Sequence, residues 1–105
     1  MAEVIWTDPA IDDVVEIAEF IGRDSFRYAS ETVSSRHHAV ARLEEFPESG
    51  RILPELGLTE IREVIIENYR IVYMETSKVC FVLAVVHVKQ DMLSKISGRI
   101  STTPD

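Results

Sequence analysis

Arg62, Arg70, His87 and Lys89 are spaced along the β-patterned second half of a 105-residue chain. Imidazole titrates near neutrality and can move a proton, so His87 is the candidate acid–base group. The three fixed cations could recognise an anionic or polar target. Structural uses compete with these roles. Arg62 and Arg70 have Glu63, Glu67 and Glu75 close by in sequence, and an exposed ion pair of that kind stabilises little. Arg51 follows Gly50 in a loop, where it could pin its segment by bonding to backbone carbonyls.

Other reactive side chains point to ordinary roles. His37 and His38 are adjacent on a helical pattern and diverge by about 100°, so they do not suit one metal ion, and no HEXXH-type spacing supports them. The lone Cys80 cannot form an internal disulfide and reads as a small core residue within an apolar strand. No phosphate-cradling glycine loop and no serine elbow is present. Neither a cofactor nor a metal is expected.

Charge divides the chain. Residues 1–50 hold eleven Asp/Glu against four Arg, whereas residues 51–105 hold seven acids and seven Lys/Arg, so the net charge of −7 belongs to the first half. An acidic average argues against broad adhesion to DNA or anionic membranes, which draws on a cationic surface to displace counterions. It leaves room for a small basic site on the second half. The length suits one domain, residues 1–105, and the composition is that of a folded protein. The N-terminal run has no basic n-region or apolar h-region, and the longest apolar run, CFVLAVVHV, is far short of a membrane span. A cytoplasmic location is the expectation.

The elements that must position these groups follow from periodicity. Ala2–Trp6 is a short strand, ended by Thr7, Asp8 and Pro9. Thr7 or Asp8 can cap a helix whose first turn accommodates Pro9. In that helix Ile11, Val14, Val15, Ala18 and Ile21 form the apolar stripe, with Asp12, Asp13, Glu16 and Glu19 opposite, and Gly22 ends it. After a turn near Asp24 and Ser25, the stripe Phe26, Ala29, Val33, Val40 and Leu43 predicts a second helix up to Phe46 and Pro47. The two should pack as an antiparallel hairpin. From Ile61 the period becomes two: Ile61–Ile66 and Tyr69–Met74 form a β-hairpin about Glu67 and Asn68, with Tyr69 and Tyr73 under the helices. Val79–Val88 is apolar on both sides and reads as a central strand. Asp91–Ile100 adds a short helix, and the tail STTPD frays. The fold class is α+β: an N-terminal strand, a helical hairpin, then three antiparallel strands in a small mixed sheet.

Trp6 before an amphipathic helix, Phe46-Pro47, Gly50-Arg51, Pro54-Glu55, Ile61-Arg62-Glu63-Val64, Asn68-Tyr69-Arg70-Ile71-Val72-Tyr73 and Ala84-Val85-Val86-His87 occur in this order. Over roughly positions 3–92 the chain resembles the RelE/ParE toxin superfamily, and it looks like a ParE-type member. The resemblance implies the toxin of a bacterial type II toxin–antitoxin pair, neutralised by a partner antitoxin in a hetero-oligomer. Family members of the ParE type with a known target poison DNA gyrase. A target-binding set of Arg62, Arg70, His87, Lys89, Gln90 and Asp91 follows, although many relatives have an Arg-Arg pair where this chain has Lys89-Gln90.

RelE-like members instead cleave mRNA on the ribosome. That chemistry activates a 2′-hydroxyl, protonates a leaving 5′-oxygen and stabilises a phosphorane-like transition state with fixed positive charge. Arg62, Arg70, His87 and Lys89 would have to converge on one phosphate. The second lysine and C-terminal tyrosine of that machinery have no counterpart here, so the residues favour a binding toxin over an enzyme. A third reading is a non-toxic interaction module of the same fold.

Overall fold

The computed structural model describes residues 2–22 and 26–100, with side chains outside 20–33 and 35. The order is β1 (Glu3–Trp6), α1 (Asp8–Gly22), α2 (Phe26–Glu45), β2 (Arg51–Ile52), β3 (Ile61–Ile66), β4 (Tyr69–Glu75), β5 (Val79–His87) and α3 (Met92–Ile96). The expected α+β architecture is present with one addition: β2, two residues paired antiparallel with β3, is too short to show a period of its own. The sheet runs β1-β5-β4-β3-β2. β1 lies parallel to β5 and the remaining pairs are antiparallel, which makes the sheet mixed.

Local chemistry accounts for the entry into α1. The Thr7 hydroxyl accepts the Ala10 N–H at 3.4 Å and donates to the Val82 carbonyl at 2.7 Å, so one side chain caps the helix and ties its start to β5. β5 lies inside the sheet between β1 and β4, covered on both faces as its apolar run predicted, and it carries a core on each side. Ala10 and Val14 of α1, with Ala39 and Leu43 of α2, pack on Val64, Ile71, Tyr73, Cys80, Val82 and Val85. On the other face Leu53, Met92 and Ile96 cover Ile61, Val72, Phe81, Leu83, Ala84 and Val86.

A β-bulge in β5 decides which face the end of that strand presents. Tyr73 pairs with Val82 but Val72 pairs with Ala84, leaving Leu83 as the extra residue. Leu83 and Ala84 therefore both enter the outer core, and Val85 and His87 rotate back to the helix side. Strict alternation would have placed them on the other face.

The hairpin between β3 and β4 turns on Glu67 and Asn68 as expected, with Glu67 at φ 57. Gly50 is required by close approach: an added Cβ would lie 2.5 Å from the Glu63 carbonyl oxygen and 2.6 Å from the Tyr73 hydroxyl. Tyr73 accepts the Gly50 N–H at 3.1 Å and donates to the Pro47 carbonyl at 2.7 Å, which locks the α2–β2 connection to the sheet. Tyr73 is buried on the helix side and Tyr69 packs at the edge of the same core.

Two expectations about α1 are corrected. Asp13 is buried, 3% exposed, whereas Ile11 and Val15 are exposed. The buried stripe is Ala10, Asp13, Val14 and Ile17, rotated from the all-apolar stripe because a carboxylate occupies one core position. In α2, Leu43 is buried and Val40 half-buried, while Arg36 stacks over the Trp6 ring at 4.7 Å. The C-terminal helix is shorter than the span 91–100: it covers Met92–Ile96, and Gly98 follows at φ 81. The turn at Asp24 and Ser25, the side chains of Ile21, Phe26, Ala29 and Val33, and the tail 101–105 lie outside the described residues.

Candidate functional site

Four of the six candidate residues meet at the turn that carries β5 into α3. The His87 N–H donates to Gln90 Oε1 at 2.9 Å, and the Lys89 N–H donates to His87 Nδ1 at 3.1 Å. The Gln90 N–H returns to the His87 carbonyl at 2.9 Å. An imidazole whose Nδ1 accepts that bond carries its proton on Nε2. The ring stands edge-on to Tyr69, with centroids 5.4 Å apart and planes at 87°. Asp91 accepts from the Ser94 hydroxyl at 2.9 Å and opens α3. Lys89, Gln90 and Asp91 are exposed.

Arg62 and Arg70 do not join them, and they do not join each other. Arg62 is paired in register with Tyr73 and so points to the helix side, where Nη1 donates to the Gly50 carbonyl at 2.9 Å. Its Nε is buried and has no partner among the described residues. Arg70 is paired with Ile65 and Val86 and points to the opposite side. The convergence of Arg62, Arg70, His87 and Lys89 on one phosphate, which the nuclease reading requires, is not found. The reason is parity: Arg62 pairs with an odd-numbered position of β4 and Arg70 is itself even-numbered.

Arg70 belongs to a charge cluster with two acids. It donates from Nε to Glu63 Oε1 at 2.5 Å and from both terminal nitrogens to Glu55 at 2.7 Å each. Arg51 closes on Glu63 Oε2 at 2.6 Å. The Glu63 side chain is fully buried, so its desolvated carboxylate depends on these two guanidinium groups. The bond from Arg70 holds the Glu55 carboxyl below its ordinary value, and Glu55 and Glu63 together push the Arg70 guanidinium further up. Arg51 thus bonds a carboxylate, while the loop-pinning bond to a carbonyl comes from Arg62. Of the acids near Arg70 in sequence, Glu63 is its partner; Glu55, fifteen positions upstream, completes the set.

Beside His87 a cleft of about 470 Å³ opens between α1, the ends of β4 and β5, and α3. Ile17, Val85 and Tyr69 give it apolar surface, and Glu16, His87, Gln90 and Lys95 add polar groups. Asp13 lines it too, and periodicity gave no sign of that role. Its carboxylate accepts the Val85 N–H at 3.0 Å and a bidentate pair of bonds from Arg99 at 2.6 and 3.1 Å, with Lys95 Nζ at 3.2 Å. In sequence Asp13 is one of three acids in Asp12-Asp13-Val14-Val15-Glu16, and its partner Arg99 lies 86 positions away.

The remaining reactive groups are placed structurally. Cys80 is buried in the helix-side core, and burial pushes its thiol up to about 11. Burial likewise raises the Tyr73 phenol. His37 and His38 are exposed. Among the described residues no group of three or more His, Cys, Asp or Glu could hold a metal ion, and no helix is long and apolar enough to cross a membrane.

The order of elements and the Tyr69–Tyr73 and Val85–His87 positions can be set against known proteins. A family model described as the ParE toxin of the type II toxin–antitoxin system, parDE, matches residues 4–92. The chain belongs to the ParE toxin family. As a ParE toxin it is the toxin of a type II toxin–antitoxin system. A solved structure of the chromosomal ParDE TA system from P. aeruginosa has a similar fold, with a TM-score of 0.66 at 18% identity over 83% of this chain and 96% of that one. No curated protein matches the chain. The family match ends at Met92, so in this ParE toxin the match stops short of Lys95 and Arg99, which clasp Asp13.

Proposed function

We propose that this ParE toxin arrests growth by binding its target, DNA gyrase, and not by cleaving RNA, and that a cognate antitoxin holds it inactive. The observation that carries the binding reading is the separation of the cations. Arg62 and Arg70 face opposite sides of the sheet, and Arg70 is neutralised by Glu55 and Glu63. A phosphoryl transition state needs preorganised positive charge around one group, and this arrangement does not provide it. The gyrase target rests on the family. The turn His87–Asp91, with exposed Val88 and Leu93 beside it, is the surface assigned to that target.

The antitoxin reading is supported by the outer side of α1. Ile11 and Val15 are exposed there next to Asp8, Asp12, Glu16 and Glu19, an apolar strip bordered by acids. An amphipathic segment with basic flanks would cover both. Induction of the chain alone in a bacterial host tests the reading: growth arrest with gyrase-linked DNA breaks and intact transcripts is expected. Cleaved mRNA with unbroken DNA would overturn it in favour of a ribosome-dependent endonuclease, and undisturbed growth would indicate a non-toxic relative.

A further inference from the structure

Asp13 stands apart from the other described acids of α1. It is 3% exposed, and each oxygen is committed: Oδ2 to the Val85 N–H and Arg99 Nη1, Oδ1 to Arg99 Nη2 and Lys95 Nζ. The place where this occurs is an open edge. β1 covers β5 only as far as Val82, so beyond the bulge the outer N–H and C=O groups of β5 have no strand partner among the described residues. Side chains take them instead: Asp13 accepts from Val85, Arg99 donates to the Leu83 carbonyl at 3.1 Å, and Gln90 accepts from His87. A five-residue helix such as α3 has little stability of its own. Met92 and Ile96 seat it on the outer face, while Lys95 and Arg99 reach around the edge of β5 to α1 on the inner face.

We infer that Asp13 is a positioning residue, the clasp that fixes the segment from His87 to Arg99 and thereby presents the target-binding turn in one geometry. The inference rests on the binding-toxin reading for its functional half and on the geometry alone for its structural half. Severing the clasp leaves the helix-side core intact, because Ala10 and Val14 hold α1 independently. It frees α3 and the turn before it.

The test combines amide hydrogen exchange on the purified chain with growth arrest on induction, for wild type, Asp13→Asn, Arg99→Met, the double variant and the exposed control Asp12→Asn. Asn keeps the size and the acceptor for Val85 N–H but removes the charge. Exchange over residues 92–100 should rise by about 10-fold or more in Asp13→Asn with the β3–β4 hairpin unchanged. The arrest should weaken in parallel, and the double variant should be no worse than either single one, as expected of partners in one network. Asp12→Asn should match wild type. Unchanged exchange over 92–100, or a uniform rise across the chain, would overturn the clasp. Local loosening with full arrest would overturn the positioning role. A wild-type chain that causes no arrest would refute the toxin reading, and the exchange pattern would still decide the clasp.

Discussion

Removing Arg70 should damage the fold before it can report on any chemistry. The Glu63 side chain has no exposure, Arg70 has 11% and Arg51 59%, so Arg70 is the main desolvated counter-ion and Arg51 a more solvated one. Breaking a buried pair by deleting one partner costs about 3–5 kcal/mol, because the surviving charge is left in a low-dielectric site. Arg51 remains against Glu63, which places Arg70→Ala near the lower end, at about 3 kcal/mol. For a domain of this length that corresponds to a fall in Tm of roughly 12–24 °C. Arg51→Ala, losing a solvent-screened partner, should cost about 1 kcal/mol or less. Glu63→Gln combined with Arg70→Ala removes the stranded charge and should recover a substantial part of the loss. Thermal unfolding followed by circular dichroism across the four proteins measures these differences. An Arg70→Ala chain that melts within about 4 °C of wild type, or a double variant no more stable than Arg70→Ala, would refute the argument. The outcome bears on function. Growth arrest lost in Arg70→Ala but restored in the double variant would exclude a catalytic arginine at this position.

Further outcomes follow from other sites. Tyr73→Phe leaves the buried Gly50 N–H without its acceptor and should cost about 1–3 kcal/mol in denaturant unfolding. Glu67→Gly relieves a positive φ at the first turn position and should stabilise by about 0.5–1 kcal/mol in the same assay, since the strain removed exceeds the added chain entropy. Because Arg70 lowers the Glu55 carboxyl below its ordinary 4.5, Glu55 contributes stability above that pH and loses it as pH falls through the lowered value. The Tm gap between wild type and Glu55→Gln should therefore be steady near neutrality and close in acid. Val15→Glu should leave Tm nearly unchanged, as the site is exposed, yet weaken co-purification with a co-expressed cognate antitoxin.

The chain's local patterns carried most of the architecture. Thr7 and Pro9 announce the start of α1, the switch to period two at Ile61 announces the β-hairpin, and the doubly apolar run from Val79 announces the central strand; each is a short-range property that neighbouring residues determine. The joint order of Gly50-Arg51, Arg62-Glu63-Val64, Asn68–Tyr73 and Ala84–His87, none specific by itself, likewise indicated the ParE family. Three features depended on contacts that no window spans. The bulge at Leu83 shifts the phase of β5 and so turns His87 toward Tyr69, because strand pairing with β4, not the alternation of β5 itself, sets the register. Arg62 and Arg70, on the two strands of one hairpin, separate because β-pleat parity sends them to opposite faces, where Gly50 claims one and Glu63 with Glu55 the other. Asp13 occupies a core position that an apolar pattern assigns to Val or Ile, and it can do so only because Arg99 and Lys95 return to it from the far end of the chain. A buried charge is stable only with its counter-ions in place, and tertiary structure alone brings them there.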